Sequence, residues 1–205
     1  MKRRLFSFLI ALLITFACIV PAIAYTPQVR DFNINDCTGI SIGPIMSYNE
    51  MLNYMVQTKH IPYSEALRSL PATTRAGGNS YRTLSVTLTV EQQPSYQPTL
   101  DFYCEVSVGD GVWGIVSIFN VQMNRYSNGM SKQFSGDIEV WLRGPERIQY
   151  IVNGDFYNNG TTSSSSSGGI DINIGGYGKI SYVASSTTTT NWFAYCYNSD
   201  IKRFT

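Results

Sequence analysis

Between residues 81 and 123 apolar and polar side chains alternate closely enough to predict sheet. Leu84, Val86, Leu88 and Val90 fall on one side, and Thr83, Ser85, Thr87 and Thr89 on the other. After a connection bounded by Pro94 and Pro98, the period returns with Leu100, Phe102, Cys104, Val106 and Val108, while Asp101, Tyr103, Glu105 and Ser107 turn outward. A period of two places each set on one face of a pleated strand. A sheet with one apolar face must bury it against a second layer.

The same reading continues downstream. Residues 112–123 are apolar on both faces, which predicts a central strand covered on both sides. Residues 126–129 carry turn chemistry. Ile138, Val140 and Leu142 point inward from 134–143, with Asp137, Glu139 and Trp141 outward. Gly144-Pro145 turns the chain, and 147–152 returns it as a hairpin. Asn153-Gly154 and Asn158-Asn159-Gly160 each offer the positive φ of a tight turn. Residues 161–169 are a serine-rich loop, Ile170, Ile172 and Ile174 alternate again, and 175–178 reads as a hairpin turn. Ile180, Tyr182 and Ala184 share a face, and 192–197 is the last strand, with Trp192, Ala194 and Cys196 together. The sum is a mostly β chain, an antiparallel β-sandwich of about eight strands, preceded by a short helical segment.

That segment is predicted by a different period. Tyr48, Met51, Leu52, Met55 and Val56 form one apolar stripe, and Ser47 with Glu50 makes a capping box. Residues 64–70 form a second short helix that Pro71 ends. Residues 25–44 have no sustained period beyond a short strand expected at 32–34.

Residues 1–24 change the picture of where the chain works. Lys2, Arg3 and Arg4, an apolar run and Ala22-Ile23-Ala24 are the parts of a secretory signal peptide, cleaved after Ala24. An uncleaved membrane anchor is the alternative, and a lipoprotein route through Cys18 fits less well. Domain organisation follows: a signal peptide at 1–24, a helical segment and linker at 25–79 acting as a lid or a pro-segment removed near Arg75, and the sandwich at 80–205. Without the leader, 12 basic residues stand against 14 acidic ones, a formal charge of −2. The basic residues are scattered, so nothing presents the footprint that nucleic acid requires.

Cys37, Cys104 and Cys196 remain after processing. Cys104 and Cys196 both face inward and are expected to pair as a disulfide, with Cys37 bridging to Cys104 as the competing connectivity. With one histidine and no HExxH, CxxC or GxSxG, no nucleophile and base pair and no metal site is suggested, so the chain is read as non-enzymatic and without a cofactor. Asp101 with Glu105, and Asp137 with Glu139, share strand faces as carboxylates for glycoside hydrolysis would, yet outward carboxylates usually serve solvation. Asp110-Gly111 and Asp171-x-Asn173 are incomplete as calcium loops.

Outward aromatics are the better signal. Trp141, Tyr103, Phe193, Tyr195 and Tyr197 point away from the core in these registers, and flat rings on a rigid sheet suit sugar rings or partner side chains. The expected function is a secreted binding module for a cell-surface glycan or protein. Residues 161–190 suggest an alternative. Their Ser/Thr-rich arms around a glycine turn resemble the inserting hairpin of aerolysin-like pore-forming toxins, which implies a membrane-active protein.

The blocks Phe102-Tyr103-Cys104, Trp113-Gly114-Ile115, 131–136 and 152–160 resemble small secreted proteins of Gram-positive bacteria with no assigned activity. The resemblance implies an extracellular location and supplies no catalytic residues.

Overall fold

The structure, a computed structural model, describes residues 39–59, 61–70, 80–165 and 170–204. The signal peptide, the strand expected at 32–34, Cys37, His60 and the linker around Arg75 lie outside these residues. Elements run in the order β1 (Ile40–Ile42), α1 (Tyr48–Lys59), α2 (Tyr63–Ser69), β2 (Ser80–Thr87), β3 (Thr99–Gly109), β4 (Val112–Asn124), β5 (Tyr126–Ser127), β6 (Met130–Ser131), β7 (Gln133–Gly144), β8 (Arg147–Tyr157), β9 (Thr162–Ser164), β10 (Ile172–Asn173), β11 (Tyr177–Ala184) and β12 (Trp192–Arg203).

Among the described residues all strand pairing is antiparallel. One sheet has the order β1-β2-β3-β4-β10, a second has β12-β8-β7-β11-β9, and β5 with β6 forms a small separate ribbon. The strands number twelve among the described residues rather than about eight. The surplus is explained by length: β1, β5, β6 and β9 hold two or three residues each, too few to display a period. A single apolar cluster takes Leu84, Phe102 and Val121 from the first sheet together with Ile138, Val152 and Ile180 from the second. The inward positions read from 84–90 and 100–106 all belong to it. Val108 does not, being exposed near the β3–β4 turn. That turn is made by Asp110 (φ 51°) and Gly111 (φ 78°), so Asp110-Gly111 closes a hairpin.

Three local expectations are corrected. Asn153-Gly154 is no turn. It lies inside β8, where Gly154 faces Gly136 of β7 across the ladder. Any Cβ at Gly154 would meet Ser135 O and approach Gly136 Cα to 2.7 Å, so the glycine permits close backbone approach. Residues 175–178 turn the chain but close no hairpin. Ile172 and Asn173 pair with Ile118 and Ser117 of β4, whereas β11 pairs with β7 and β9, so the segment crosses from one sheet to the other. Trp192 is outward and 47 % exposed, because a bulge between Trp192 and Ala194 reverses the side on which its ring falls.

The expected Cys104–Cys196 bridge is also absent, and both thiols are free and buried. Each is held by its own sheet. Cys104 stands opposite Arg82 and Ile118 in the first, Cys196 opposite Gly154 in the second. The Cys196 thiol donates to Thr89 O at 3.7 Å and accepts from Asn198 Nδ2 at 3.2 Å.

The helical segment is built into the fold at its described residues. β1 pairs with β2, and Met46 bridges to Tyr81. The capping box forms: Ser47 N–H and Oγ–H each donate to Glu50 Oε2 at 2.8 Å, and Glu50 N–H donates to Ser47 Oγ at 3.4 Å. Met51, Leu52 and Met55 of α1 pack with Tyr81, Tyr103 and Phe119 in a second apolar cluster on the far face of the first sheet.

Candidate functional site

Outward positions of the second sheet line up in rows across four strands. Tyr177, Trp141, Gln149 and Ile201 make one row, Lys179, Glu139, Ile151 and Ser199 the next, and Ser181, Asp137, Asn153 and Tyr197 the third. Asp155 and Tyr195 follow, opposite Ser135. Alternate residues Ile138, Val140, Tyr150, Val152 and Ile180 are buried in the core, which fixes the direction of the others.

Rings therefore gather at two places on one face. Trp141 and Tyr177 are neighbours, their ring centroids 5.0 Å apart and planes tilted by 40°, with the Arg143 guanidinium 5.4 Å from the Trp141 ring. Across the sheet stand Tyr195 and the 53 %-exposed Tyr197, joined by Trp192. Two hydrogen bonds steady this second group. Tyr195 Oη donates to Asn153 Oδ1 at 2.8 Å, and Trp192 Nε1–H donates to Asp155 Oδ1 at 2.9 Å. Two strand spacings and four residues of rise separate Trp141 from Tyr197, about 17 Å.

Polar groups fill the interval. Asp137 accepts from Ser181 Oγ at 2.6 Å and pairs with Lys179 Nζ at 3.0 Å. The Ser181 hydroxyl and the Lys179 ammonium hold the Asp137 carboxyl below its usual range, and Asp137 in turn raises Lys179. Desolvation, then the neighbouring Glu139, raises the Tyr177 phenol. The Asp137 and Glu139 pair considered for hydrolysis thus has one member engaged by a lysine and a serine.

Of the five rings expected outward, Trp141, Tyr195 and Tyr197 share this face, while Tyr103 and Phe193 do not join it. Tyr103 is 2 % exposed, covered by α1, with Tyr54 at 6.3 Å and Phe119 at 6.4 Å between ring centroids. The signal was present: a helix with an apolar stripe needs an apolar partner, and Tyr81, Tyr103 and Phe119 are the large apolar residues on the supposedly outward side of the first sheet. Phe193 occupies the bulge, half-buried, with Tyr96 at 5.5 Å and Lys132 Nζ 4.1 Å above its ring. Tyr177 and Trp192 were missed, the first by assignment to a turn and the second by the bulge.

No family model matches the chain, and no curated protein or solved structure matches it significantly.

Proposed function

We propose that this chain is a secreted, non-enzymatic β-sandwich that binds an extended cell-surface glycan along the outer face of its second sheet. The observation that carries the reading is two ring groups, Trp141 with Tyr177 and Tyr197 with Tyr195 and Trp192, set apart on one strand-built plane with hydroxyl, amide and carboxylate groups between them. Rings take the apolar faces of sugars, and the polar rows between them exchange hydrogen bonds with hydroxyls. The spacing favours a chain of sugars over a single one. Strands hold the rings in place before binding, which lowers the ordering cost of association.

The test is retention of the protein, beginning at Tyr25, on purified cell walls and insoluble polysaccharides. Trp141→Ala and Tyr197→Ala are each expected to weaken retention about tenfold, the equivalent of about 1.4 kcal/mol. If the unaltered protein binds no wall, glycan or matrix preparation, or if both variants bind as it does, the reading fails. Binding that survives enzymatic removal of surface glycans would reassign the face to a protein partner.

A further inference from the structure

Along the outer edge of β12, we propose that a second copy of this chain pairs strand to strand, joining the second sheets of two molecules edge to edge. β12 is the last strand of its sheet and pairs only with β8 among the described strands. Backbone N–H and C=O groups point to alternate sides along a strand. Phe204 N–H donates to Glu146 O on the β8 side, and Tyr195 O accepts from Glu91 N–H on the other. Ser199, Ile201 and Arg203, in step with Tyr195, therefore aim their backbone groups outward. The segment at Thr89 covers this edge only as far as Asn198, whose carboxamide accepts from Thr89 N–H at 2.9 Å and donates to Thr89 O at 2.8 Å. Beyond it, among the described residues, no backbone group bonds the outward edge of 199–203. Ser199, Asp200 and Arg203 are exposed, and Ile201 is 55 % exposed.

Unpaired edge groups are a template for another strand, and two observations select a copy of this one in a single register. The open run 199–203 has Ile201 at its middle, so a two-fold axis there lets both copies pair over the whole run without meeting the Thr89 segment. The same axis sets Asp200 opposite Lys202 of the copy, and Lys202 opposite Asp200 of the copy, with Cα atoms about 4.5 Å apart. Within one chain these residues already form an ion pair at 2.7 Å, so their charges are matched in kind. An axis at Asp200 instead would set two carboxylates against each other, and like charges directly opposite are destabilising. With the axis at Ile201, Ser199 stands opposite Arg203 of the copy, which arrives already neutralised by Glu146. The two Ile201 side chains, each otherwise in water, meet as an apolar cross-strand pair on the outer face.

Charged residues on an edge strand commonly guard it, because an arriving strand brings no counter-charge for them. Here the guard is a pair of opposite signs, and an antiparallel copy presents the same pair in reverse order. Ile201 N–H is held by Asp200 Oδ1 at 2.7 Å, a carboxylate that Lys202 of the copy draws away as the ladder closes. A seam this short is small beside the roughly 1,200–2,000 Å² of standard interfaces, so the pairing is reversible. Edge-to-edge pairing keeps the outer faces of both second sheets on one side, and the Trp141 and Tyr197 ring groups of two copies then share a single surface. The pairing itself needs no ligand there.

Sedimentation equilibrium of the protein beginning at Tyr25, over a series of concentrations, tests the assignment. A reversible monomer–dimer equilibrium is expected. Ile201→Lys, Asp200→Lys and Lys202→Asp should each weaken it about tenfold, whereas Asp200→Lys combined with Lys202→Asp restores it, because the exchanged charges still face each other. Mild oxidation should link Ile201→Cys into a covalent dimer, since Cα atoms about 5.5 Å apart across the axis suit a disulfide. Ser199→Cys should stay unlinked, its two copies lying about 14 Å apart, and the unaltered protein controls for its own thiols. A monomer at every concentration up to about 1 mM, whether or not it takes up an extended peptide at this edge, would overturn the proposal. So would a dimer that Ile201→Lys leaves intact, or a charge exchange that restores nothing. Trp141→Ala should dimerise as the parent does, so this inference and the glycan reading fail separately.

Discussion

Single positions in this fold carry defined physical burdens, and the Gly136–Gly154 pair is the clearest. Gly136 has φ of 156°, and a Cβ there would press on Asn153 O and lie 2.5 Å from Gly154 Cα. Gly136→Ala and Gly154→Ala are each expected to cost about 2–3 kcal/mol, read as a lowered denaturant midpoint. Lys59 carries an electrostatic burden instead. Burial pushes its ammonium down to about 7 from the ordinary 10.5, partly opposed by the charges of Asp101 and Glu65. Between those values the unfolded chain holds a proton that the folded one lacks, so stability rises with pH through that window. The cost of burying the charge is full below about pH 7 and is relieved as pH climbs towards 10.5. Denaturant midpoints between pH 7 and 8.5 should therefore increase in the parent and increase less in Lys59→Met. The range stops short of the ordinary values of thiols (9.0) and phenols (10.0), where the opposite sign enters because burial raises Cys104, Tyr103 and Tyr96.

Elements were legible where they are long. α1 followed from its stripe and its Ser47–Glu50 cap, and β7 with β8 from strict alternation on either side of Gly144-Pro145. Short strands were mostly not legible, because two residues such as Tyr126 and Ser127 show no period and acquire their state from their partners Ser131 and Met130; β10 was announced only because Ile170, Ile172 and Ile174 alternate around it. Nor does alternation reveal what covers a polar-looking face. Tyr103 was placed on the correct side of its strand, but the side proved to be under a helix. Three of the five rings of the candidate site were readable: Trp141, Tyr195 and Tyr197 were placed outward, whereas Tyr177 reads as part of a glycine turn and Trp192 depends on a bulge that no period announces. The α1 layer yields its own prediction. Met55 is fully buried between the helix and the first sheet, so Met55→Ala should lower stability by about 2–5 kcal/mol. If residues 39–70 are cut away, Tyr81, Tyr103 and Phe119 lose their cover, and binding of a hydrophobic dye should rise. A segment that departs without that rise would be a removable pro-segment.

For the molecule as a whole, the competing possibility is that residues 161–190 leave the fold and enter a membrane. Their described parts are tied to both sheets. Ile172 is buried in the shared core and pairs with β4, while β11 runs beside β7 over six residue pairs, Tyr177 to Tyr182. Release of the segment would expose that core and strip Tyr177 from beside Trp141, so insertion and the ring-lined face are alternatives for the same residues. A membrane-spanning strand further requires roughly nine to eleven residues with every second one apolar. Thr162, Ser163 and Ser164 offer lipid nothing apolar. Dye-loaded vesicles, neutral and anionic, are therefore expected to stay sealed at protein concentrations that saturate polysaccharide. Leakage that Trp141→Ala leaves intact would show that the segment detaches and that the rings on the second sheet are incidental to its action.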